Sequence, residues 1–314
     1  MRYEEFLGEV KASVINYLPE KYRQAETMIA EIKRNNINPY YGILVRRPDR
    51  NMAPVLNLEK YYKKYMAGNT LNNILWEIAA DYYKKDQETS LINLEEFLYE
   101  NVKNKVFVEV SNAEKNHAEL ADMPQEMKED LALSYYLRYM ISEDECGKIR
   151  IKNSHLKRWN ISQEELKKQA WENMMLHLKP SLRSLDELAK SCFDMEGFEQ
   201  PSESVPIYVL SNDELSYGAA YMFNDAVMSS LTEILNDDLL VLPSSIHETL
   251  ILRKNYDTEK LGIAKLREIV REINQDYVSP EEFLSDEVYL YDRETHQLSI
   301  ADTDEQELGM SMNM

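Results

Sequence analysis

Cysteine is scarce in this sequence, and its scarcity limits the chemistry available. Cys146 and Cys192 are the only two cysteines among 314 residues. Two thiols suit a reducing compartment, and by themselves they cannot supply a thiolate zinc site. No ligand pair lies at a zinc-finger spacing. We therefore expect neither a structural metal nor a cofactor.

Long apolar runs are also missing. Nothing approaches the roughly 18 consecutive apolar residues that span a bilayer. The N-terminal stretch carries acids where a signal peptide would need an apolar core. Hydrophobic residues at 44% and charged residues at 29% are typical of a globular protein in water. We expect a cytoplasmic protein that binds no membrane.

The common catalytic fingerprints are absent as well. The sequence contains no Gly-x-Ser-x-Gly elbow, no His-Glu-x-x-His, no P-loop and no Gly-x-Gly-x-x-Gly. Each of these patterns carries a specific mechanism, for serine hydrolysis, zinc proteolysis, nucleotide hydrolysis or dinucleotide binding. Any catalytic site must therefore be argued from isolated polar clusters.

The acidic charge, by contrast, is abundant and unevenly placed. The net charge is −20; residues 1–110 hold 16 basic and 16 acidic residues, and residues 111–314 hold 20 basic and 40 acidic residues. Nucleic-acid affinity depends on clustered Lys and Arg, so we expect the C-terminal half to bind no nucleic acid directly. The acidity either serves solubility or attracts a basic protein partner or a cation.

The apolar periodicity predicts an α+β fold, with mixed or antiparallel sheets and packed helices. Residues 1–92 predict a helix, three strands and further helices in an N-terminal subdomain. Residues 93–300 predict an acidic α+β domain, and residues 301–314 predict a flexible tail.

Several helices are predicted within the second domain. Residues 113–130 are mostly helical in pattern, with a break at Pro124, and residues 216–235 predict one continuous helix. Ser162 begins a capping-box pattern. Ser279, followed by proline, predicts another helix start.

Two strand-like segments a hundred residues apart resemble each other. VFVEVSN ends at Asn112 and PIYVLSN ends at Asn212, and the pattern predicts a helix and two strands after each. Either a β-α-β-β unit is repeated, or short strands end in Ser-Asn because both residues favour caps and turns.

The most distinctive polar cluster is the centre of LLVLPSSIHETLIL, residues 239–252. In an extended chain Ser245 and His247 share one face, where a serine nucleophile and its base could meet, while Ser244 and Glu248 point to the other face. A remote carboxylate would then have to orient His247. The structural alternative is a hairpin whose turn begins at Pro243.

A second candidate lies in NSHLKRW, residues 153–159. His155 and Trp159 could stack a ligand ring, since one histidine and one tryptophan occur there close together. The alternative is an ordinary connection between a strand and a helix.

Four strings together carry a family resemblance: Y-E-E-F-L, Y-V-L-S-N, Gly218-Ala219-Ala220 and L-P-S-S-I-H-E. They resemble a domain-of-unknown-function family widespread in gut Firmicutes, over nearly the whole chain. Residues 200–255 are also distantly similar to the YtpQ-like proteins of bacilli. Neither family has an established activity. The resemblance implies a bacterial cytosolic protein and directs attention to residues 208–212, 218–220 and 243–248. The candidate binding residues in this region are Asn212, Tyr217 and Gly218.

Charge segregation without a complete catalytic signature favours a binding function. Our leading hypothesis is a protein-binding or accessory module whose acidic C-terminal half contacts a basic protein surface. The alternative is a hydrolase or transferase that uses Ser245 or Ser244 with His247 and a remote carboxylate.

Overall fold

The computed structural model describes residues 1–50, 53–88, 97–140, 146–185, 188, 206–255 and 262–302. The chain divides into two compact units. Unit 1 is residues 1–102 with 139–147, and unit 2 is residues 103–138 with 148–314. The predicted domain boundary between residues 92 and 93 lies outside the described residues, as do Cys192 and residues 303–314 of the predicted tail.

Unit 1 begins with an amphipathic helix, as the sequence predicts. Helix α1 spans Tyr3–Ser13 and continues as a 3-10 helix to Tyr17. Phe6, Val10 and Val14 recur every four residues and are fully buried, because residues at this spacing share one helix face.

A three-stranded antiparallel sheet follows, in the order β1-β2-β3. Its strands are β1 (Glu26–Arg34), β2 (Ile37–Arg46) and β3 (Leu56–Asn57). Helices α2 (Glu59–Met66) and α3 (Leu71–Glu88) complete the core of the unit. The three predicted strands are confirmed, although the third is only two residues long.

A buried carboxylate lies at the end of α3. Asp86 is 2% exposed, and the hydroxyl of Tyr22 donates to it over 2.5 Å. Guanidinium groups of Arg47 and Arg50 lie 3.5 and 3.7 Å from its oxygens. A buried charge needs such partners. Burial and the neighbouring carboxylate raise the pKa of Tyr22.

Unit 2 contains a first antiparallel sheet in the order β4-β6-β5, with β7 paired to β6. Its strands are β4 (Val106–Asn112), β5 (Gln125–Lys128), β6 (Leu131–Met140) and β7 (Cys146–Arg150). The short helix α5 (His117–Leu120) follows β4 within this unit, and α4 (Tyr99–Val102) precedes β4 in the sequence at the end of the first stretch of unit 1.

The prediction of a mostly helical segment at 113–130 is wrong. Only α5 is helical, and residues 125–128 form β5. Pro124 prevents a helix from continuing. Glu129 then adopts φ 57°, and this left-handed residue closes a tight turn that pairs β5 with β6.

A second antiparallel sheet has six strands in the order β13-β12-β10-β11-β9-β8. They are β8 (Pro180–Ser184), β9 (Tyr208–Asn212), β10 (Leu239–Pro243), β11 (Thr249–Arg253), β12 (Tyr289–Asp292) and β13 (Gln297–Ile300). The sheets and helices together make an α+β fold with antiparallel pairing, as predicted.

The two sheets of unit 2 share a local topology. In each sheet, a strand that ends in Ser-Asn is followed by a helix and two further strands. The first strand pairs with the last of the three strands: β4 pairs with β6, and β9 pairs with β11. The second strand of each set also pairs with the third. The predicted β-α-β-β order therefore occurs twice.

The described residues of unit 2 also form four longer helices. They are α6 (Asn153–Trp159), α7 (Gln163–His177), α8 (Asp225–Leu235) and α9 (Ile263–Asp276). The capping box at Ser162 and Glu165 is confirmed. No helix in the described ranges is both long and apolar enough to cross a membrane.

Two helix predictions in this unit need correction. Residues 216–235 form a 3-10 helix at Gly218–Phe223 and then α8, because the Asn224 side chain accepts the N–H of Val227 and caps a new helix. At Ser279 the chain makes a single turn, since the N–H groups of Glu282 and Phe283 donate to its carbonyl and no helix follows.

Glu109 is a buried carboxylate at the centre of β4. It is 4% exposed and pairs with Lys148, while Arg150 lies 3.6 Å away and Ser134 donates over 3.3 Å. Burial alone would raise the pKa of Glu109, but the charges of Lys148 and Arg150 hold it below its usual range.

Replacing Glu109 with glutamine is expected to destabilise the protein by about 2–4 kcal/mol, because two cations lose their buried counter-charge. Chemical denaturation measures the change. Glu172→Gln is the matched control, since Glu172 is 57% exposed and lies 3.9 Å from Lys168. The control should change stability by less than about 0.5 kcal/mol. Equal effects of the two variants would contradict the prediction.

Candidate functional site

The segment 239–252 is a β-hairpin. Strands β10 and β11 pair from Leu239 opposite Arg253 to Pro243 opposite Thr249, and residues 244–248 form the turn between them. The prediction of a hairpin at this position is confirmed. Leu239, Leu240 and Val241 are fully buried, as expected of a central pair of strands in a sheet covered by other elements.

Hydrogen bonds within the turn use both serine and glutamate. The N–H of Ser245 donates to the carbonyl of Glu248 over 3.2 Å, and the N–H of His247 donates to the Ser245 hydroxyl over 3.0 Å. That hydroxyl lies 3.4 Å from the Glu248 carboxylate and donates to it. Ser245 is 6% exposed, so its hydroxyl is occupied inside the turn.

The turn also forms hydrogen bonds with the end of β9 and with the segment that follows β9. The carbonyl oxygen of His247 accepts the N–H of Gly218 over 2.9 Å and the hydroxyl of Ser211 over 2.7 Å. The imidazole Nδ1 accepts the N–H of Tyr217 over 3.2 Å. These three contacts join two parts of the chain that are 29 to 36 residues apart in sequence.

The Asn212 side chain forms hydrogen bonds with the loop that follows β9. It is fully buried, its Oδ1 accepts the N–H groups of Glu214 and Ser216, and its Nδ2 donates to the Ser216 carbonyl. Leu215 and Tyr217 adopt positive φ of 52° and 54°, which is uncommon for residues with a side chain. The Asn212 side chain therefore stabilises a strained loop that presents Tyr217 and Gly218 to the turn.

Gly218 lies where no side chain fits. A Cβ on this residue would be 2.5 Å from the Ser211 hydroxyl, 2.7 Å from the Ser211 Cα and 2.9 Å from the His247 carbonyl. Two of these atoms are backbone, which cannot rotate away. The approach of the loop to the turn therefore requires glycine.

The His247 imidazole lies in an aromatic and charged environment. Its ring centroid is 5.3 Å from that of Tyr217, and the ammonium of Lys148 is 4.5 Å from the Tyr217 ring. Because Nδ1 accepts a hydrogen bond, the neutral ring carries its proton on Nε2, which lies 3.6 Å from the Glu282 carboxylate. The side chain is 29% exposed.

The predicted site residues are therefore brought together, but not by a hydrogen bond between a serine hydroxyl and the imidazole. The imidazole forms no hydrogen bond with a serine hydroxyl in the part of the chain that the structure describes. Instead Asn212, Tyr217 and Gly218 are brought to the turn that holds Ser245 and His247. The arrangement can hold the turn in one conformation.

Ser244 is one of the residues that line a cavity of about 110 Å³. The cavity is lined by aliphatic side chains of β10, β11 and α9, among them Leu242, Leu250, Leu266 and Ile269. The polar residues of the lining are Ser244 and Asn274. The Ser244 hydroxyl makes no hydrogen bond with any described residue.

His155 and Trp159 form a pair on α6. Their ring centroids are 5.5 Å apart, and Trp159 is 8% exposed. His155 accepts the N–H of Lys152 at Nδ1 over 3.2 Å, which satisfies a free donor at the start of α6. Burial, with the charges of Lys152 and Arg158, lowers the pKa of His155.

Two features of this region were not predicted from the sequence. The first is the ion pair between Glu109 and Lys148 beside Tyr217. In the sequence this pair is indicated by a lone carboxylate within an apolar strand and by the alternating cations of KIRIK. The second is the cavity, which the sequence indicates only weakly, by the helical spacing of the aliphatic residues Leu266, Ile269 and Ile273 on α9. Among the described residues, no group of three His, Cys, Asp or Glu is placed to hold a metal.

Comparison with known proteins places the chain in a family. A family model, the family of unknown function DUF5688, matches residues 3–293. The chain belongs to this family. No curated protein and no solved structure matches it. The family description carries no activity, so function must be argued from the geometry.

Replacing Gly218 with alanine is expected to destabilise the protein by about 1–3 kcal/mol, because the new methyl group overlaps Ser211 and His247. Gly8→Ala is the control: a Cβ at Gly8 meets nothing within 4 Å, and Gly8 is an exposed residue of helix α1. The control should stabilise by up to about 1 kcal/mol. Thermal unfolding of both variants tests the pair, and a neutral Gly218→Ala would refute the close approach.

His155 is expected to make stability depend on pH. Its pKa is lowered in the folded chain, so the unfolded chain binds the proton more readily. This contribution is complete above the unfolded pKa of about 6.5 and is lost as pH falls through the folded pKa. His155→Gln should remove that pH dependence in unfolding experiments. An NMR titration placing the His155 pKa at or above 6.5 would contradict this.

Proposed function

We propose that this chain is a non-catalytic protein-binding module, whose acidic C-terminal half binds a partner with a basic surface. The observation that carries the proposal is the composition of residues 206–252, which include seven acidic residues and neither Lys nor Arg. Four of the acids are exposed: Asp213, Glu214, Asp225 and Glu233. A surface of one sign attracts a partner of the other sign and accelerates association.

Helix α8 supplies an exposed face within this region. Ala226, Ser230, Glu233 and Ile234 are exposed and share one side of the helix, at spacings of four, seven and eight residues. Ile234 is 69% exposed. Glu233 makes no ion pair with any residue that the structure describes. An apolar side chain beside an unpaired carboxylate suits a basic, partly apolar partner.

The contacts of the turn support a non-catalytic function. A serine nucleophile needs a base in hydrogen-bond contact. The Ser245 hydroxyl is bonded to Glu248, and the imidazole Nδ1 is used by the Tyr217 N–H. These groups stabilise the hairpin and its contact with the preceding loop. We extend the proposal to a bacterial cytosolic protein on the resemblance of the Pro-Ser-Ser-Ile-His-Glu string.

Replacing Glu233 with lysine is expected to weaken binding of a fluorescein-labelled lysine-rich peptide about three- to tenfold at low ionic strength. Fluorescence anisotropy measures the affinity, and rising salt should weaken wild-type binding. Glu172→Lys is the control, since it makes the same charge change on α7, outside residues 206–252.

Two results would count against the proposal. Equal weakening by both variants would show a general charge effect rather than a surface. Labelling of the folded chain by a fluorophosphonate, lost in His247→Ala, would show an activated serine and favour the hydrolase alternative.

A further inference from the structure

Strand β1 forms a long edge of the sheet in unit 1. It spans nine residues, and among the described residues its single partner strand is β2. The pairing is regular from Glu26 opposite Arg46 to Ile32 opposite Tyr40, and the register shifts after Ile32. Residues 26–32 therefore present a regular outer edge.

The hydrogen bonds of β2 show which of its residues point away from β1. The N–H and the carbonyl of Val45 both bond the Tyr82 hydroxyl, and the carbonyl of Tyr41 accepts the N–H of Leu58, next to β3. Facing residues of an antiparallel pair either exchange both bonds or direct both groups to the outside. Val45 and Tyr41 therefore belong to pairs whose backbone groups point outward in both strands.

Three alternate residues of β1 occupy pairs of this kind, namely Thr27, Ile29 and Glu31. Their N–H and carbonyl groups point to the outer edge and form no hydrogen bond with any described residue. Natural edge strands are commonly protected from pairing by lysine or proline. Residues 26–32 contain neither, and Met28 is 41% exposed. The edge is therefore open to another strand.

This edge is complementary to a second copy of itself. Two identical strands that pair antiparallel are related by a two-fold axis, and each side chain stays on its own face of the sheet. With the axis at Ile29, all of residues 26–32 are paired, and Ile29 faces Ile29 of the second copy. Met28 then faces Ala30 of the second copy, so apolar residues meet on both faces of the sheet.

The same register also uses the outward backbone groups. Ile29 exchanges two hydrogen bonds with Ile29 of the second copy, and Thr27 exchanges two with Glu31 of the second copy. The two copies together gain about six backbone hydrogen bonds. Groups that are bonded to water in one copy thus find protein partners without any change of the strand.

Charge favours this alignment and a second copy as the occupant. An axis at Glu31 would oppose two carboxylates, whereas an axis at Ile29 places Glu31 against Thr27 and Glu26 against Ile32. Residues 1–110 hold 16 basic and 16 acidic residues, so the paired segments do not repel each other through net charge. A flexible peptide would also lose entropy on pairing, and β1 is already extended.

We propose that β1 pairs antiparallel with β1 of a second copy, so that the two sheets of unit 1 become one continuous sheet. The two-fold axis passes through Ile29. The chain is then a symmetric dimer whose interface lies in unit 1. This inference does not depend on the acidic surface of the proposed function.

Met28→Lys tests the edge in the whole chain. Wild-type protein should form a concentration-dependent dimer in analytical ultracentrifugation. The substitution places a charge against Ala30 in each half of the interface and should raise the dimer dissociation constant about tenfold or more. Met66→Lys is the matched control, since Met66 is 62% exposed on α2. It should dimerise as wild type does.

Disulfide cross-linking tests the register and does not rely on the lysine variant. Ile29→Cys, combined with Cys146→Ser and Cys192→Ser, should cross-link the two copies on mild oxidation. Facing Cα atoms of a bonded antiparallel pair are about 5.5 Å apart, which a disulfide can span. Met28→Cys in the same background should not cross-link, because Met28 faces Ala30.

Three results would overturn the proposal. The first is a wild-type chain that stays monomeric at every concentration. The second is a dimer that Met28→Lys leaves intact or that both lysine variants weaken equally. The third is faster cross-linking of Met28→Cys than of Ile29→Cys, which would place the axis elsewhere.

Discussion

The site depends on one contact, the approach of the Gly218 backbone to the carbonyl of His247. That carbonyl accepts the N–H of Gly218 and the hydroxyl of Ser211, so it is satisfied although it lies inside a turn. The contact fixes the direction of the imidazole, because the neighbouring Tyr217 N–H then meets Nδ1. It also fixes the turn that places Ser244 on the cavity. The contact between Gly218 and His247 therefore positions both the imidazole and the part of the turn that lines the cavity.

Each unit also contains a buried carboxylate, and the two use different partners. Asp86 in unit 1 is bonded by a tyrosine hydroxyl and approached by two guanidinium groups. Glu109 in unit 2 is paired with an ammonium and a guanidinium from the strand β7. A buried pair contributes little net stability, but removal of one partner is costly because the other charge is left without compensation. In unit 2, Lys148 extends the constraint to the Tyr217 ring.

Local patterns predicted much of the fold but little of the site. Alternating apolar residues and a proline were enough to predict the hairpin at 239–252, because register and turn chemistry are local. The break at Asn224 was not predicted, since apolar periodicity continues across it and only its cap reveals a new helix. The strand at residues 125–128 was not predicted, because it forms by pairing with β6 and its own residues show no strand pattern. The cavity could not be predicted, since its volume depends on packing between α9 and strands far away in sequence.

The repeated β-α-β-β order has a consequence for how the chain acquires its structure. In each repeat the third strand pairs with both earlier ones, as Asn112 faces Leu131 and Leu210 faces Thr249. Strand β4 cannot pair until β6 has left the ribosome, whereas β9 can first pair with the earlier strand β8. Contacts within a repeat nevertheless span a short stretch of chain, which favours rapid closure. Each repeat is therefore suited to condense during synthesis, with β12 and the edge strand β13 added last.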